Sequence, residues 1–177
     1  MPSLERIYLV GMPASGKSTL GKHLAELLGY ECIDLDKLIE FQEDSTIPDL
    51  FAKYDEDYFR RAEQRVLQQT FHLQRKVVAT GGGTPCFFDN MAHIKAHGTV
   101  IFLSVTPQEL AVRIQRQQHI QRPLYQEKTL EELTLQLEEK LKERIVFYKQ
   151  ADMMVSAESQ NARQLAEYLR DFFKKWY

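Results

Sequence analysis

Residues 7–18 decide the fold: Ile7-Tyr8-Leu9-Val10 runs directly into Gly11-Met12-Pro13-Ala14-Ser15-Gly16-Lys17-Ser18. The second part has the form G-x-x-x-x-G-K-[S/T]. It is followed by an amphipathic segment with Leu20, Leu24, Leu27 and Leu28 on one face, and Gly29 offers a stop. This order of strand, glycine-rich loop and helix is typical of a phosphate-binding loop. A chance match in a turn rich in glycine, serine and proline is the alternative, and the flanking segments argue against it.

The chemistry of such a loop predicts individual contacts. Successive backbone N–H groups and the helix N-terminus point at phosphate oxygens, so nucleotide contacts are expected from Ala14, Ser15, Gly16, Lys17, Ser18 and Thr19. The Lys17 ammonium is expected at the β- and γ-phosphates of ATP, and the Ser18 hydroxyl is expected to coordinate Mg²⁺.

The rest of the chain alternates short apolar runs with helical patterns, which indicates an α/β fold with a mostly parallel sheet. No linker or repeat interrupts residues 1–177, so a single domain is expected. The sequence predicts long helices at Asp55–Leu73 and Thr129–Lys149 and a last helix after Asn161. Strands are predicted at Ile7–Val10, Glu31–Asp34, Lys76–Thr80, Thr99–Val105 and Asp152–Ser156.

Composition excludes several classes of function. The net charge of −2 gives no overall electrostatic footprint for nucleic acid. Cys32 and Cys86 fit neither a disulfide framework nor a zinc signature. No signal-peptide pattern and no apolar run near the ~20 residues of a membrane span occur, so a cytoplasmic protein without membrane contact is expected. Guanine-reading Asn-Lys-x-Asp and switch Asp-x-x-Gly motifs are missing, which leaves a small-molecule or nucleotide kinase.

Candidate acceptor residues follow the second and third predicted strands, at the edge where open parallel sheets bind ligands. Asp34 and Asp36 are two apart, so in extended chain both carboxylates would face the cleft while Leu35 packs inward. One carboxylate could hold a Mg²⁺-bound water and the other accept a hydroxyl proton; the alternative for Asp36 is helix capping. Gly81-Gly82-Gly83 would let a ligand approach backbone N–H groups, or form a plain flexible turn.

Three arginines complete the set of candidates. Arg60 lies in Phe59-Arg60-Arg61-Ala62-Glu63 on the predicted long helix, and Arg144 precedes Tyr148 by four residues. Arg122, in Arg122-Pro123-Leu124, ends a glutamine-rich stretch, 115–121, which is predicted to be a mobile loop. Taken singly, each arginine is more typical of a charged surface than of a ligand site.

Taken in order, these motifs resemble the shikimate kinase family over nearly the whole chain. The resemblance implies a five-stranded parallel sheet flanked by helices, as in nucleoside monophosphate kinases. It divides the chain into a core (1–34, 74–112 and 150–177), a substrate-binding region (35–62) and a lid (113–125). It also implies ATP-dependent phosphorylation of shikimate to shikimate 3-phosphate, on the way to chorismate and the aromatic amino acids, by a monomer with Mg²⁺.

Residue roles follow from the same resemblance. Asp36 would contact the shikimate hydroxyls and serve as base, and Gly82 and Gly83 would offer backbone contacts. Arg60 and Arg144 would clamp the carboxylate. Arg122 would reach the ATP phosphates as a catalytic lid residue, and Asp34 would hold Mg²⁺ through water beside Ser18.

The chain departs from the family at two places. Met12-Pro13-Ala14-Ser15 replaces a more usual Met-Gly-Ala-Gly sequence, although the glycines of the motif remain. Gln115 stands where many members carry a lid arginine, so Arg113 and Arg116 are the alternative candidates for packing on adenine.

Two rival functions remain open from the sequence. The first is a P-loop kinase for another small hydroxy acid such as gluconate, against which Asp34, Asp36 and the pair Arg60 and Arg144 argue. The second is a non-catalytic nucleotide-binding regulator, which would have no need for an acceptor site.

Overall fold

The computed structural model describes residues 5–116, 128–156 and 161–174. Within them, five parallel strands form one sheet in the order β2-β3-β1-β4-β5. The sheet confirms the predicted α/β fold. Its strands are β1 (Arg6–Val10), β2 (Glu31–Asp34), β3 (Lys76–Ala79), β4 (Thr99–Ser104) and β5 (Met153–Ser156).

Helices cover both faces of the sheet. The described residues form α1 (Lys17–Leu28), α2 (Leu35–Glu43), α3 (Ile47–Lys53), α4 (Glu56–Gln69), α5 (Asn90–His97), α6 (Pro107–Arg116), α7 (Leu130–Tyr148) and α8 (Ala162–Lys174). Short 3₁₀ turns follow α4 at Thr70–His72 and β3 at Thr84–Cys86. None of the helices in the described ranges is long and apolar enough to cross a membrane.

Alternate residues of each central strand enter two separate apolar cores. Tyr8 and Val10 of β1 pack into a core shared with α2, α4, α5, α6 and α7. Ile7 and Leu9 enter a second core with α1 and α8. All four side chains are buried, which explains why the strand reads as a continuous apolar run without alternation.

The register of the sheet brings the candidate segments to one edge. Leu9 of β1 and Asp34 of β2 both pair with Ala79 of β3, so the three strands end at nearly the same level. The phosphate loop, Asp34 and Gly81 therefore leave the sheet side by side. Connections also reverse direction at β1, which lies between β3 and β4, and such switch points are where open sheets bind ligands.

Several boundaries differ from the predictions. The long helix predicted at Asp55–Leu73 is shorter: Asp55 caps it by accepting the Tyr58 N–H, and it ends at Gln69 before the 3₁₀ turn. Helices α2, α3, α5 and α6 were not predicted; each is short, with between 7 and 10 residues. The predicted capping box of α7 is confirmed: Thr129 and Glu132 are bonded reciprocally.

Candidate active site

The phosphate loop closes around the ammonium group of Lys17. Lys17 Nζ donates to the carbonyl oxygens of Gly11 and Met12, both at 2.8 Å, and to Ser15 Oγ at 3.4 Å. Ser15 N–H donates to the Met12 carbonyl at 3.2 Å, which tightens the turn, and Ala14 adopts a left-handed conformation with φ of 62°. One continuous segment thus concentrates the positive charge of a buried lysine at the N-terminus of α1.

A cavity of about 250 Å³ opens on the outer side of this loop. Ala14, Gly16 and Thr19 of the loop line it, together with His23 and Arg113. Arg113 reaches from α6 to donate through Nη1 to the Ser15 carbonyl at 3.2 Å, while its Nε bonds Glu109 at 3.0 Å. Of the two arginines suggested as replacements for Gln115, Arg113 is therefore the one that contacts the loop.

Arg60 of α4 lies on the other side of the cleft, held by two carboxylates. Its Nε and Nη2 donate to Glu56 Oε1 at 3.2 and 3.1 Å, and its Nη1 donates to Glu63 Oε2 at 2.8 Å. The guanidinium carbon also lies 4.1 Å from the ring centroid of Phe87. Because Glu63 is only 1% exposed and accepts a further bond from Thr84 Oγ1 at 2.5 Å, Arg60 has a defined position before any ligand binds.

The turn Gly81-Gly82-Gly83 passes between these groups with no room for side chains. A Cβ at Gly81 would lie 2.8 Å from carboxylate oxygens of both Asp36 and Glu63. One at Gly82 would lie 2.8 Å from Pro13 Cδ, and one at Gly83 would lie 2.8 Å from Arg60 Nη1. The glycines thus allow the phosphate loop, a carboxylate and an arginine to approach one backbone segment, which excludes the plain flexible turn.

Helix α7 contributes Arg144 and Tyr148 to the same cleft. Burial raises the pKa of the Cys86 thiol to about 11, and the positive charges of Arg144 and Arg60 act in the opposite direction. Tyr148 is fully buried, and its hydroxyl donates to the Gly82 carbonyl at 2.5 Å and approaches Met12 Sδ at 3.7 Å. Tyr148 therefore connects α7 to the glycine turn and the phosphate loop, and Arg144 lies one turn before it on the same helix.

The prediction that Asp34 and Asp36 share an extended segment is wrong. Strand β2 ends at Asp34, whose side chain caps α2 by accepting the Lys37 N–H at 3.4 Å, and Asp36 lies in the first helical turn. The alternative that made Asp36 the cap is wrong as well. Helical rotation brings Asp36 Oδ1 towards Gly81 instead, so the helix rather than the strand aims this carboxylate into the cleft.

The available oxygen atoms fit a magnesium ion that is shared with nucleotide phosphates. Ser18 is exposed at the start of α1, and the half-buried Asp34 carboxylate ends the neighbouring strand β2. Mg²⁺ prefers hard oxygen ligands and commonly uses one or two protein groups with water and phosphate. The described residues contain no cluster of three or more metal-binding side chains, so they form no metal site that is enclosed by protein ligands alone.

Sequence reasoning missed the roles of Glu63, Thr84 and Phe87. Glu63 was quoted within its motif without a function, although its position three residues after Arg60 places both on one helix face. Nothing in the sequence indicates that Thr84 and Phe87 would meet them. Arg122 and residues 117–125 of the expected lid lie outside the described residues, whereas residues 113–116 form the last turn of α6.

Comparison with known proteins places this geometry among enzymes of one kind. The family model described as shikimate kinase matches residues 13–174. The shikimate kinase of Clostridium botulinum (strain ATCC 19397 / Type A) is 37% identical over 173 residues, which cover 98% of each chain.

Solved structures give the same result. The crystal structure of shikimate kinase from Bacteroides thetaiotaomicron superposes with a TM-score of 0.88 at 34% identity, covering 97% of this chain and 99% of that one. Shikimate kinase from Acinetobacter baumannii, solved in complex with shikimate, superposes with a TM-score of 0.82 at 35% identity, covering 98% and 94%.

Proposed function

The chain belongs to the shikimate kinase family, and we propose that the two sides of its cleft divide the reaction between them. The protein is an ATP-dependent shikimate kinase of the pathway to the aromatic amino acids. In our proposal the phosphate loop holds ATP, and Asp36, the glycine turn, Arg60 and Arg144 hold the acceptor. The observation that carries this assignment is that Arg60 lies against Gly83 while Tyr148, one turn after Arg144 on α7, donates to the Gly82 carbonyl.

The arginine pair suits the carboxylate of shikimate. Guanidinium groups bind a planar carboxylate through paired hydrogen bonds, and buried arginines retain their charge. Gly82 is half-buried and Gly83 is buried against Arg60, so in this proposal the Gly82 N–H contacts the ring substituents while Gly83 lets Arg60 approach the turn closely. The carboxylate would thus be anchored at Arg60 and Arg144, with the hydroxyl groups directed toward Asp36 and the phosphate loop.

Asp36 is the proposed general base for the attacking hydroxyl, the 3-hydroxyl of shikimate. Its Oδ1 lies close to Gly81, on the border between the acceptor side and the phosphate loop. Phosphoryl transfer needs little covalent assistance, so the principal work of the site is to align this hydroxyl with the γ-phosphoryl group.

ATP would lie along the loop with its phosphates at residues 14–19. Lys17 would exchange its bonds to the Gly11 and Met12 carbonyls for contacts with phosphate oxygens. Arg113 lines the adjoining cavity and is the proposed contact for the adenosine portion. Arg122 is proposed to reach the phosphates from the lid; it lies outside the described residues.

We propose that Ser18 binds Mg²⁺ directly and that Asp34 holds it through a water molecule. A bound Mg²⁺ ion would offset negative charge on the transferring phosphoryl group. A cytoplasmic location and a monomeric state stay predictions.

The proposal is tested by ADP release from purified enzyme supplied with ATP and a panel of acceptors. We expect turnover with shikimate, none with gluconate, and a product phosphorylated on the 3-hydroxyl by ³¹P and proton NMR. Turnover with gluconate alone would favour the rival kinase. ATP binding without turnover on any acceptor would favour a nucleotide-binding regulator.

A further inference from the structure

The inward face of α7 carries a second cation besides Arg144. Leu133, Leu137 and Tyr148 are buried on this helix, and Lys140 and Arg144 occupy the intervening positions at intervals of three and four residues. Such intervals bring side chains onto one side of a helix. Both cations are half-buried, whereas residues 139, 142, 143 and 146 are exposed. Lys140 therefore points to the same side as Arg144, one turn nearer the start of α7.

Charged groups of α7 and of α4 act on Lys140. Burial lowers the pKa of Lys140, and the positive charges of Arg144 and Lys128 lower it further. Glu143 of its own helix and Glu56 of α4 act in the opposite direction. Glu56 is the same carboxylate that accepts two bonds from Arg60. The charge of Glu56 therefore acts on Lys140 as well as on Arg60.

The balance of charge explains why a further cation matters here. Arg60 is in contact with Glu56 and Glu63, so its own positive charge is already more than offset. Asp36 adds negative charge beside Gly81. Arg144 alone then leaves the acceptor side of the cleft with an excess of negative charge, which would repel an anionic acceptor. The positive charge of Lys140 would offset this excess of negative charge.

We propose that Lys140 is an acceptor-recognition residue, which acts with Arg60 and Arg144 on the carboxylate of the acceptor from the outer end of the cleft. The proposal rests on the proposed function, because it takes the arginine pair to bind the acceptor carboxylate. Lys140 strengthens the binding of an anionic acceptor without touching the transferring phosphoryl group. Its removal should therefore change KM for the acceptor and leave kcat and the KM for ATP nearly unchanged.

Lys140→Met tests this role, because methionine keeps much of the length of the side chain and suits the apolar neighbours. We expect the KM for shikimate to rise about three- to tenfold, as for one half-buried charge contact. The dependence of this KM on ionic strength should also become shallower. Lys142→Met removes the same charge from the exposed face of α7 and should stay within about twofold of wild type. Lys140→Arg keeps the cation and should also stay within about twofold.

An acceptor analogue with a neutral amide in place of the carboxylate completes the experiment. Lys140→Met should affect the KM of the amide much less than that of shikimate, because no negative charge remains to be attracted. Thermal unfolding of each variant confirms that it is folded, and Lys140→Gln provides a second neutral variant.

A wild-type KM for shikimate in folded Lys140→Met or Lys140→Gln would overturn the proposal. So would an equal loss in Lys140→Met and Lys142→Met, which would indicate an effect of overall charge. These outcomes concern Lys140 alone, because the wild-type enzyme phosphorylates shikimate in the same assay. If instead Arg144→Ala binds shikimate normally, the assignment of the carboxylate site fails, and the role of Lys140 fails with it.

Discussion

The two sides of the cleft are built in opposite ways. Residues 11–19 supply the phosphate side from one continuous stretch, largely through backbone groups. The acceptor side takes Asp36 from α2, Arg60 and Glu63 from α4, the glycine turn after β3, and Arg144 from α7. Backbone turns thus form one binding surface, and packing between separate helices forms the other.

The cations of the two sides are held differently as well. Lys17 donates to carbonyl oxygens of its own loop, which it can release when phosphate oxygens replace them. Arg60 is held by the buried carboxylate of Glu63, by Glu56 and by the ring of Phe87. In the proposed mechanism the phosphate side reorganises around Lys17, whereas Arg60 on the acceptor side already has a defined position before a ligand binds.

Replacing Lys17 should have the largest effect. In Lys17→Ala, charge developing on the phosphoryl group loses its main counter-charge, which is worth about 3–4 kcal/mol or more. We expect kcat to fall about a thousandfold, with an unchanged circular dichroism spectrum. Lys142→Ala, on an exposed position of α7, is the control. A folded Lys17→Ala enzyme with most of its activity would remove the phosphate side from the mechanism.

Asp36→Asn tests the proposed general base, which lies between the phosphate side and the acceptor side. The substitution keeps the shape of the side chain but removes the proton acceptor, and general bases contribute roughly 10²–10⁴-fold. We expect a loss of this size in kcat, with the Kd for ATP little changed when measured by calorimetry. Wild-type kcat would mean that Asp36 only orders the first turn of α2.

The carboxylate clamp is best tested at Arg144. Arg60→Ala should weaken acceptor use too, but it would also leave the buried Glu63 without its main partner, which typically costs about 3–5 kcal/mol of stability. Arg144→Ala should raise the KM for shikimate by roughly ten- to a hundredfold, since hydrogen bonds to charged groups contribute about 1.5–3 kcal/mol each. The Kd for ATP should stay nearly unchanged.

The amide analogue of shikimate provides the control for this prediction. With the wild-type enzyme, the KM for the amide should exceed that for shikimate by about as much as Arg144→Ala raises the KM for shikimate. With Arg144→Ala, the difference in KM between the amide and shikimate should be much smaller. If the amide performs as well as shikimate on the wild-type enzyme, the two arginines do not bind a carboxylate.

Gly82→Ala should damage both sides at once, because this residue is where they meet. The new Cβ would lie 2.8 Å from Pro13 Cδ and 3.2 Å from Pro13 N, so the phosphate loop would have to shift. Overpacking of this kind typically costs about 1–3 kcal/mol. We expect a lower melting temperature and about a tenfold loss in kcat/KM for both substrates. A loss confined to one substrate would show that the two sides are independent.

Cys86→Ser should have the smallest effect, although the positive charges of Arg144 and Arg60 act on this thiol. Burial raises the pKa of this thiol to about 11, so it remains protonated below about pH 9 and is a poor nucleophile. We expect steady-state kinetics within about twofold of wild type at pH 7–8. Labelling of Cys86 by iodoacetamide should be slow at pH 8 and accelerate toward pH 11. Fast labelling at pH 8 would contradict the proposed surroundings of Cys86.

The sequence was sufficient for features whose contacts are close in the chain. The phosphate loop spans eight residues, so its motif already contains Gly11, Met12 and Ser15, which accept hydrogen bonds from Lys17. Likewise, Thr129 and Glu132 cap α7 within three residues. The parallel sheet followed from the alternation of apolar runs with helices, since parallel strands need crossover connections. Asp36 shows the limit: its spacing from Asp34 fits an extended strand, but the chain enters α2 directly after Asp34 without a loop.

The acceptor side depends on tertiary structure. Arg60 lies on α4 and Arg144 on α7, and no local pattern relates the two helices. Tertiary packing brings Arg60 to Gly83 and brings α7 to the glycine turn, where Tyr148 donates to the Gly82 carbonyl. Glu63 is a partner of Arg60 on the same helix, but the bond that Glu63 accepts from Thr84 depends on packing. The sequence by itself determined the fold class and the phosphate-binding loop, because those depend on neighbouring residues. Tertiary structure decided the charge balance of the acceptor side, because attraction and repulsion between charges depend on their distances in space.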